Sequence, residues 1–298
     1  MDTSSGANAW HEIGVWLRST IKFSKTYDLL QRTLTGLLER RSPARVLEVG
    51  FGEGRALLEF AWQFRSQPVA FFGVDKKQEP PVQCRDDLAK MALEFGICQP
   101  DELAQLRLPD IDFYDATELR FPDEHFDLIY SAVTVRFIPD KARFLEEVCR
   151  VLRPGGVAYL HIGQKNWDYP YSQALPEIHL TPYNSRFVLK YGDELIPLPD
   201  YLQLFEGEVF HFEFINRPRC VLKVEKRRSG RLDLQLQWND TYSMSMKALP
   251  YRHKSGKIQG GFRSVYEIPE EHYRRLIGLG RIHPETLRKD SPQESPLI

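Results

Sequence analysis

The sequence is short of cysteine, of excess charge and of long apolar runs. Its 298 residues include four cysteines, Cys84, Cys98, Cys149 and Cys220. Because none forms a C-x-x-C pair, neither a metal site nor a disulfide framework is indicated. The formal net charge is −1, so no overall basic field favours nucleic acid. Residues 1–8 lack the apolar core of a signal peptide, and no run approaches a membrane span. We therefore expect a cytoplasmic protein that holds no metal and does not associate with membranes.

What the sequence does contain is a glycine-rich turn behind an apolar segment. Residues 46–60 read VLEVGFGEGRALLEF, the pattern of a buried parallel strand, a turn and the start of a helix. Gly50, Gly52 and Gly54 remove side chains where the turn must bring its backbone against a ligand. Glu48 stands at the strand end, beside that ligand. This arrangement is typical of the nucleotide-binding crevice of an open α/β sheet.

The spacing of these glycines excludes two common nucleotide sites. A dinucleotide site requires G-x-G-x-x-G/A, but here the third small position falls on Arg55 or Leu57, depending on the glycine from which the count starts. A P-loop requires Gly-Lys-Ser/Thr, which does not follow this turn. The pattern that remains is E-x-G-x-G-x-G.

Three further segments come after the glycine turn. Residues 69–75 (VAFFGVD) predict a strand ending in Asp75, whose carboxylate can accept two hydrogen bonds from ribose hydroxyls. Asp115 and Ala116 precede the stretch FPDEHFDLIYS at 121–131. Residues 144–156 (FLEEVCRVLRPGG) predict an amphipathic helix that ends at Pro-Gly-Gly, before a strand at 157–162.

With these four segments, residues 44–162 resemble the class I S-adenosylmethionine (SAM) methyltransferases, and in particular their type 11 branch. The resemblance implies an α/β fold, in which a Rossmann-like sheet carries helices on both faces, and SAM as the cofactor. It also implies that Asp75 binds the ribose, that Asp115 accepts a hydrogen bond from the adenine amino group, and that the Ala116 backbone meets the adenine ring. The cofactor-binding residues expected from it are Glu48, Gly50, Phe51, Gly52, Gly54, Asp75, Lys76, Asp115, Ala116 and Ser131.

The charge of the strand-end residues agrees with this cofactor. SAM carries a sulfonium cation, so Glu48, Asp75 and Asp115 give the site a suitable sign, whereas a phosphate would favour Lys or Arg. The alternative is that these carboxylates only cap helices. Three of them at successive strand ends, after a glycine turn, favour the cofactor site.

The predicted core divides the chain into three parts. Residues 1–43 predict an N-terminal helical cap, 44–162 the SAM-binding core, and 163–298 an acceptor-side insertion with a C-terminal β-rich extension. In the last part, alternation at 219–226 and 231–238 predicts a hairpin that turns at 227–230, and residues 262–268 predict a strand before a helix opened by Pro269. We expect the aromatic-rich residues 163–215 to fold over the carboxyl ends of strands four and five. The alternative is that their aromatics form the core of a small β subdomain.

The acceptor site is harder to read, because methyl transfer depends mainly on alignment of the reactants. His161, near the end of strand five, is a candidate general base for a hydroxyl, or else a hydrogen-bonded core histidine. Arg136 stands where small-molecule members of the resembled family often carry a histidine pair. It could bind an acidic acceptor or be a surface charge. Tyr130, Trp167 and Tyr171 are candidates for lining the acceptor pocket, with packing as the alternative.

These observations predict a SAM-dependent methyltransferase that acts on an oxygen or nitrogen of a small metabolite or natural product. No N/D-P-P-Y/F motif follows strand four, and no cysteine stands where methylation of pyrimidine C5 would need one. A cluster of basic residues at 217–231 leaves a peptide, protein or RNA acceptor as the alternative. A non-catalytic methyltransferase fold that serves as a binding partner is a second alternative, disfavoured by the intact cofactor motif. No oligomeric state is indicated.

Overall fold

A computed structural model describes most of the predicted core and parts of the C-terminal region. The described residues are 25–76, 78, 81–132, 134–161, 188–192, 194–215, 221–238, 251–252, 258–259 and 266–282. Residues 1–24 of the predicted cap and residues 163–187 of the predicted insertion, with Trp167 and Tyr171, lie outside them.

Helices and strands alternate up to residue 161, except that β4 follows β3 directly, and strands predominate among the described residues after it. The helices are α1 (Lys25–Arg40), α2 (Arg55–Gln63), α3 (Arg85–Glu94), α4 (Lys141–Val151), α5 (Leu198–Leu202) and α6 (Glu270–Gly278), with 3₁₀ turns at Leu103–Gln105, Thr134–Phe137 and Gln203–Phe205. The strands are β1 (Ala44–Val49), β2 (Val69–Asp75), β3 (Asp110–Phe113), β4 (Phe126–Ser131), β5 (Leu152–His161), β6 (Val188–Tyr191), β7 (Glu194–Pro197), β8 (Phe210–Ile215), β9 (Val221–Lys226), β10 (Gln237–Trp238), β11 (Tyr251–Arg252), β12 (Ile258–Gln259) and β13 (Tyr266–Glu267).

The main sheet has seven strands in the order β3-β2-β1-β4-β5-β9-β8. Its first five strands are parallel, and β9 runs antiparallel to both β5 and β8. The order reverses between β1 and β4, so the crevice of this open sheet lies at the carboxyl ends of those strands. The predicted Rossmann-like α/β fold is confirmed.

Helices cover both faces of this sheet, as the fold requires. One apolar cluster joins α1, α2 and α3 to the face that carries Val46 and Leu128. The other joins α4 and the C-terminal elements to the opposite face, with Leu47 and Ile129. Because side chains alternate along a strand, Glu48 shares the face of Val46 and points towards α2.

Helix α1 is the described part of the predicted N-terminal helical cap. Leu30, Leu34 and Leu37 are buried at the spacing of one helical face. The hydroxyls of Thr33 on α1 and Tyr159 on β5 lie 2.8 Å apart. This helix therefore packs on the face of the sheet.

The predicted hairpin of residues 219–226 with 231–238 is wrong. Strand β9 pairs with β5 on one side and with β8 on the other, so both of its edges are filled. Residues 231–236 form no strand. Their alternation has another cause, since Leu232 and Leu234 are buried and the Leu234 N–H donates to Glu146 of α4 at 2.9 Å. The sheet of the core therefore includes strands beyond residue 162.

A second sheet, in the order β10-β13-β6-β7, packs beside α4. The Tyr266 hydroxyl accepts from the Ala142 N–H at 3.0 Å and lies 3.1 Å from the Asp140 carboxylate, which anchors β13 to the start of α4. The C-terminal β-rich extension is thus present, and α6 begins after Pro269 as predicted. Within the described residues, no helix combines the length and apolar character needed to cross a bilayer.

Candidate functional site

The glycine turn has the left-handed backbone that its sequence implies. The φ angles are +80° at Gly50, +55° at Gly52 and +78° at Gly54. A Cβ on Gly50 would lie 1.9 Å from Thr134 Oγ1, and one on Gly54 would lie 2.7 Å from a Leu88 methyl carbon. Among the described residues, a Cβ on Gly52 would meet no atom within 4 Å. Two glycines therefore allow close packing, whereas Gly52 borders open space in which a ligand could lie.

Asp75 connects this turn to the end of β2. Its Oδ2 accepts from the Gly52 N–H at 2.8 Å, and its Oδ1 accepts from the Lys76 N–H at 2.7 Å. A carboxylate has about four lone-pair sites, so two remain for ribose hydroxyls. The placement of Asp75 fits the predicted ribose contact.

Asp115 lies beyond the end of β3 and is paired with Lys76. The Lys76 Nζ is 2.6 Å from Asp115 Oδ2, while Asp115 Oδ1 accepts from the N–H and the hydroxyl of Thr117 at 3.1 and 2.9 Å. Burial alone would raise the pKa of Asp115, but the hydrogen bonds from Lys76 and Thr117 hold that pKa below its usual value. Asp115 is therefore a fixed, ionised acceptor beside the buried Ala116.

Glu48 lies beneath the turn, with only 2% of its surface exposed. The Tyr130 hydroxyl donates to its Oε2 at 3.0 Å. Burial raises the pKa of Glu48 to about 8, and the nearby carboxylates of Asp75 and Glu59 add to this effect. Hydrogen bonds from Tyr130 and from the Leu57 backbone oppose it. The sequence placed this acid beside the ligand, but the structure buries it under the turn, and direct contact with the cofactor stays a prediction.

The end of β4 closes the crevice next to the turn. The Ser131 hydroxyl donates to the Val49 carbonyl at 2.9 Å and ties β4 to β1. Thr134 Oγ1 lies 3.3 Å from the Gly50 carbonyl oxygen. Phe51 is buried, with its ring centroid 5.7 Å from that of Phe113.

Two residues of this site were not predicted from the sequence in the roles that the structure gives them. Thr134 packs directly on Gly50, and no sequence motif indicates this contact. Tyr130 is the partner of Glu48, whereas from the sequence it was a candidate only for the acceptor pocket or for packing. The pairing of β1 with β4 brings the two together, because Glu48 and Tyr130 are Cα partners near the ends of these strands.

The acceptor residues are not brought together in the described structure. His161 is half-buried at the last position of β5, opposite Val221 of β9. The backbone of Arg136 lies in the 3₁₀ turn Thr134–Phe137, but its side chain is outside the described part, as are Trp167 and Tyr171. The predicted acceptor contacts therefore stay predictions.

The basic turn after β9 is matched by acidic partners. Arg228 is paired with Glu208, and Arg231 Nη2 lies 2.7 Å from Asp123 Oδ2. Arg227 donates to the Gly207 carbonyl at 3.3 Å.

Across the described residues, no group of three or more His, Cys, Asp or Glu side chains is arranged to hold a metal ion.

Comparison with known proteins finds similarity over the segment that carries the cofactor motif. Residues 47–160 match the family model of a methyltransferase domain. The phosphatidylethanolamine N-methyltransferase of Cereibacter sphaeroides is 33% identical over 141 residues, covering 47% of this chain and 61% of that protein. The 27-O-demethylrifamycin SV methyltransferase of Amycolatopsis mediterranei is 24% identical over 156 residues, covering 52% of this chain and 51% of that protein. The crystal structure of the carbon methyltransferase CurJ overlaps 71% of this chain and 57% of that chain, with 14% identity and a TM-score of 0.46.

Residues 47–160 thus match a methyltransferase domain of the kind that uses SAM as its cofactor. The chain spans 61% and 51% of the lengths of the two curated relatives.

Proposed function

We propose that the protein is a SAM-dependent methyltransferase that transfers a methyl group to an oxygen or nitrogen of a small molecule. The observation that carries this proposal is the open side of the glycine turn, where Gly52 borders free space and Asp75 receives the Gly52 N–H at 2.8 Å. When bound, SAM supplies a methyl group that is already activated for displacement. The protein is then required mainly to hold the reactants in line, which can contribute on the order of 7–11 kcal/mol.

The residues around this space fit the cofactor. We propose that Asp75 accepts from the ribose hydroxyls, Asp115 accepts from the adenine amino group, and the turn at Gly50, Gly52 and Gly54 lies against the rest of the ligand. Lys76 fixes Asp115 through the 2.6 Å ion pair. The acidic character of the site suits the positive sulfonium.

Two observations favour a small acceptor. The two curated relatives are named for phosphatidylethanolamine and for 27-O-demethylrifamycin SV, and neither is a polymer. The basic turn, which was the feature favouring RNA, has Arg228 and Arg231 paired with acids. Phosphate binding there would require these ion pairs to be broken.

His161 is the proposed general base if the acceptor is a hydroxyl group, so its role depends on which acceptor atom is methylated.

Replacing Arg227, Arg228 and Arg231 together by Gln is expected to change turnover less than about twofold, because exposed ion pairs contribute little. SAM affinity should stay the same. Turnover would be measured at low and high salt against the same acceptor. A large loss of activity that also flattens the salt dependence would contradict the proposal and favour a nucleic-acid acceptor.

The acceptor class itself is tested with SAM labelled in its methyl group. The protein is incubated with cell extract separated into small molecules and lipids, protein, and RNA. We expect the label in the first fraction, and clearly less of it, at a SAM concentration that does not saturate the variant, when Asp75→Ala replaces the native protein. Label that partitions with protein or RNA would overturn the small-molecule assignment, and the absence of label in every fraction would favour a non-catalytic binding role.

A further inference from the structure

Glu48 and Tyr130 form a buried pair beneath the glycine turn. Their exposed fractions are 2% and 3%, and the phenol donates to Glu48 Oε2 at 3.0 Å. The other groups that act on Glu48 are the Leu57 N–H and the Glu59 carboxylate, both on α2, and the Asp75 carboxylate at the end of β2. From β4 the facing group is the neutral phenol, and the two charged groups with the largest effect on Glu48, Asp75 and Glu59, are both negative.

The arginine at the start of α2 does not reverse this balance. Arg55 Nε lies 2.9 Å from Glu59 Oε1 and is engaged by that carboxylate. Burial and the surrounding acids raise the pKa of Glu48 to about 8. A positive charge placed on the open side of the turn would favour the ionised form of Glu48.

SAM and its demethylated product, S-adenosylhomocysteine (SAH), differ by one such charge. The sulfur is a sulfonium cation in the first and a neutral thioether in the second. Both carry the same adenosine and amino-acid groups. An ionisable acid at this position would therefore respond to the loss of the methyl group.

We infer that Glu48, positioned by Tyr130, is ionised while SAM is bound and takes up a proton once the methyl group has left, so that the protein distinguishes cofactor from product by charge. This inference rests on the proposed function. In the transfer the S–CH₃ bond breaks, the bond from carbon to the acceptor atom forms, and the acceptor proton leaves to solvent. Glu48 then takes one proton from solvent. A neutral Glu48 holds the neutral thioether without an unmatched buried charge.

The raised pKa of Glu48 sets the sign of the pH dependence. Below about pH 8 the ligand-free protein carries a protonated Glu48. If bound SAM lowers this pKa, binding releases a proton, and SAM affinity rises with pH up to about 8 and then levels off. SAH, which lacks the sulfonium, should release fewer protons. The ratio of SAM affinity to SAH affinity should therefore increase roughly tenfold between pH 6 and pH 8.

Calorimetric titration tests this directly. SAM and SAH are titrated into the protein at pH 7 in two buffers of different ionisation enthalpy, which counts the protons released. We expect SAM to release clearly more protons than SAH. In Glu48→Gln the two counts should be equal, and the affinity ratio should not vary between pH 6 and pH 8.

Tyr130→Phe separates positioning from packing. It keeps the ring and removes a hydrogen bond that favours the ionised acid, so the pH midpoint of the affinity ratio should move upward. Tyr159→Phe is the matched control. Tyr159 is the Cα partner of Tyr130 on β5, is 4% exposed and bonds Thr33 instead of Glu48. In Tyr159→Phe, the pH midpoint of the ratio of SAM affinity to SAH affinity should equal that of the native protein.

Two results would overturn the inference. Equal proton counts for SAM and SAH in the native protein would show that Glu48 does not sense the sulfonium. A midpoint that moves equally in Tyr130→Phe and Tyr159→Phe would show a general effect of buried phenols. If neither ligand binds, the proposed function fails and this inference with it, whereas binding of both with equal proton counts overturns the inference alone.

Discussion

Replacing Asp75 by Ala is expected to weaken SAM binding at least about tenfold while the protein stays folded. The Asp75 carboxylate accepts from the N–H groups of Gly52 and Lys76 at 2.8 and 2.7 Å and has two further lone-pair sites for the ribose. Each hydrogen bond to a charged group contributes about 1.5–3 kcal/mol, and about 1.4 kcal/mol is a factor of ten in affinity. The substitution also leaves the Gly52 N–H without its carboxylate. Titration calorimetry with SAM and SAH would measure the loss.

Asp112→Ala is the matched control for this experiment. Asp112 lies one strand away on β3, is exposed, and accepts from the next backbone N–H, that of Phe113, at 2.8 Å. This is the same local bond that Asp75 makes with Lys76. Asp112→Ala should therefore bind SAM as the native protein does. Equal affinity of Asp75→Ala and the native protein would show that the ribose assignment is wrong.

The cofactor side of the site could be predicted because local sequence determines it. A left-handed turn needs glycine at Gly50, Gly52 and Gly54, and these positions have φ angles of +80°, +55° and +78°. Asp75 falls at the end of an apolar strand, and parallel strands bring their carboxyl ends to one edge of the sheet. Strand pattern and glycine spacing were therefore sufficient to predict the turn and the position of Asp75 beside it, whereas their contacts with the cofactor stay predictions.

The remaining features depend on contacts between distant parts of the chain. The alternation of residues 231–238 was interpreted as a strand, but Leu232 and Leu234 are buried in the cluster that contains α4. Alternation of apolar and polar residues indicates that one side of a segment is buried, but it does not identify the element that packs against that side. Similarly, Glu48 is an acid at a strand end in the sequence, and only the fold shows that Tyr130 and α2 enclose it.

The three glycines of the turn are expected to respond differently to substitution. At Gly50 and Gly54 an added Cβ would collide with Thr134 or Leu88 at 1.9 and 2.7 Å, so those variants should lose stability. At Gly52 no atom of the part of the chain that the structure describes lies within 4 Å of the added Cβ. A side chain at Gly52 therefore affects the ligand space more than the protein's own packing.

Gly52→Leu is accordingly expected to abolish SAM binding, with a loss of at least about 100-fold, equivalent to about 2.8 kcal/mol. Its cost in stability should be limited to the strain of a left-handed residue, about 1–2 kcal/mol. Gly96→Leu provides the comparison, because Gly96 has a φ of +63° and nothing within 4 Å of its Cβ. Gly96 lies just beyond the C-terminal end of α3 and is not part of the glycine turn. Thermal unfolding should show similar losses of stability in the two variants, and calorimetry should show loss of SAM binding in Gly52→Leu alone. If Gly52→Leu binds SAM normally, the cofactor does not lie against the turn, and the proposed site must be placed elsewhere.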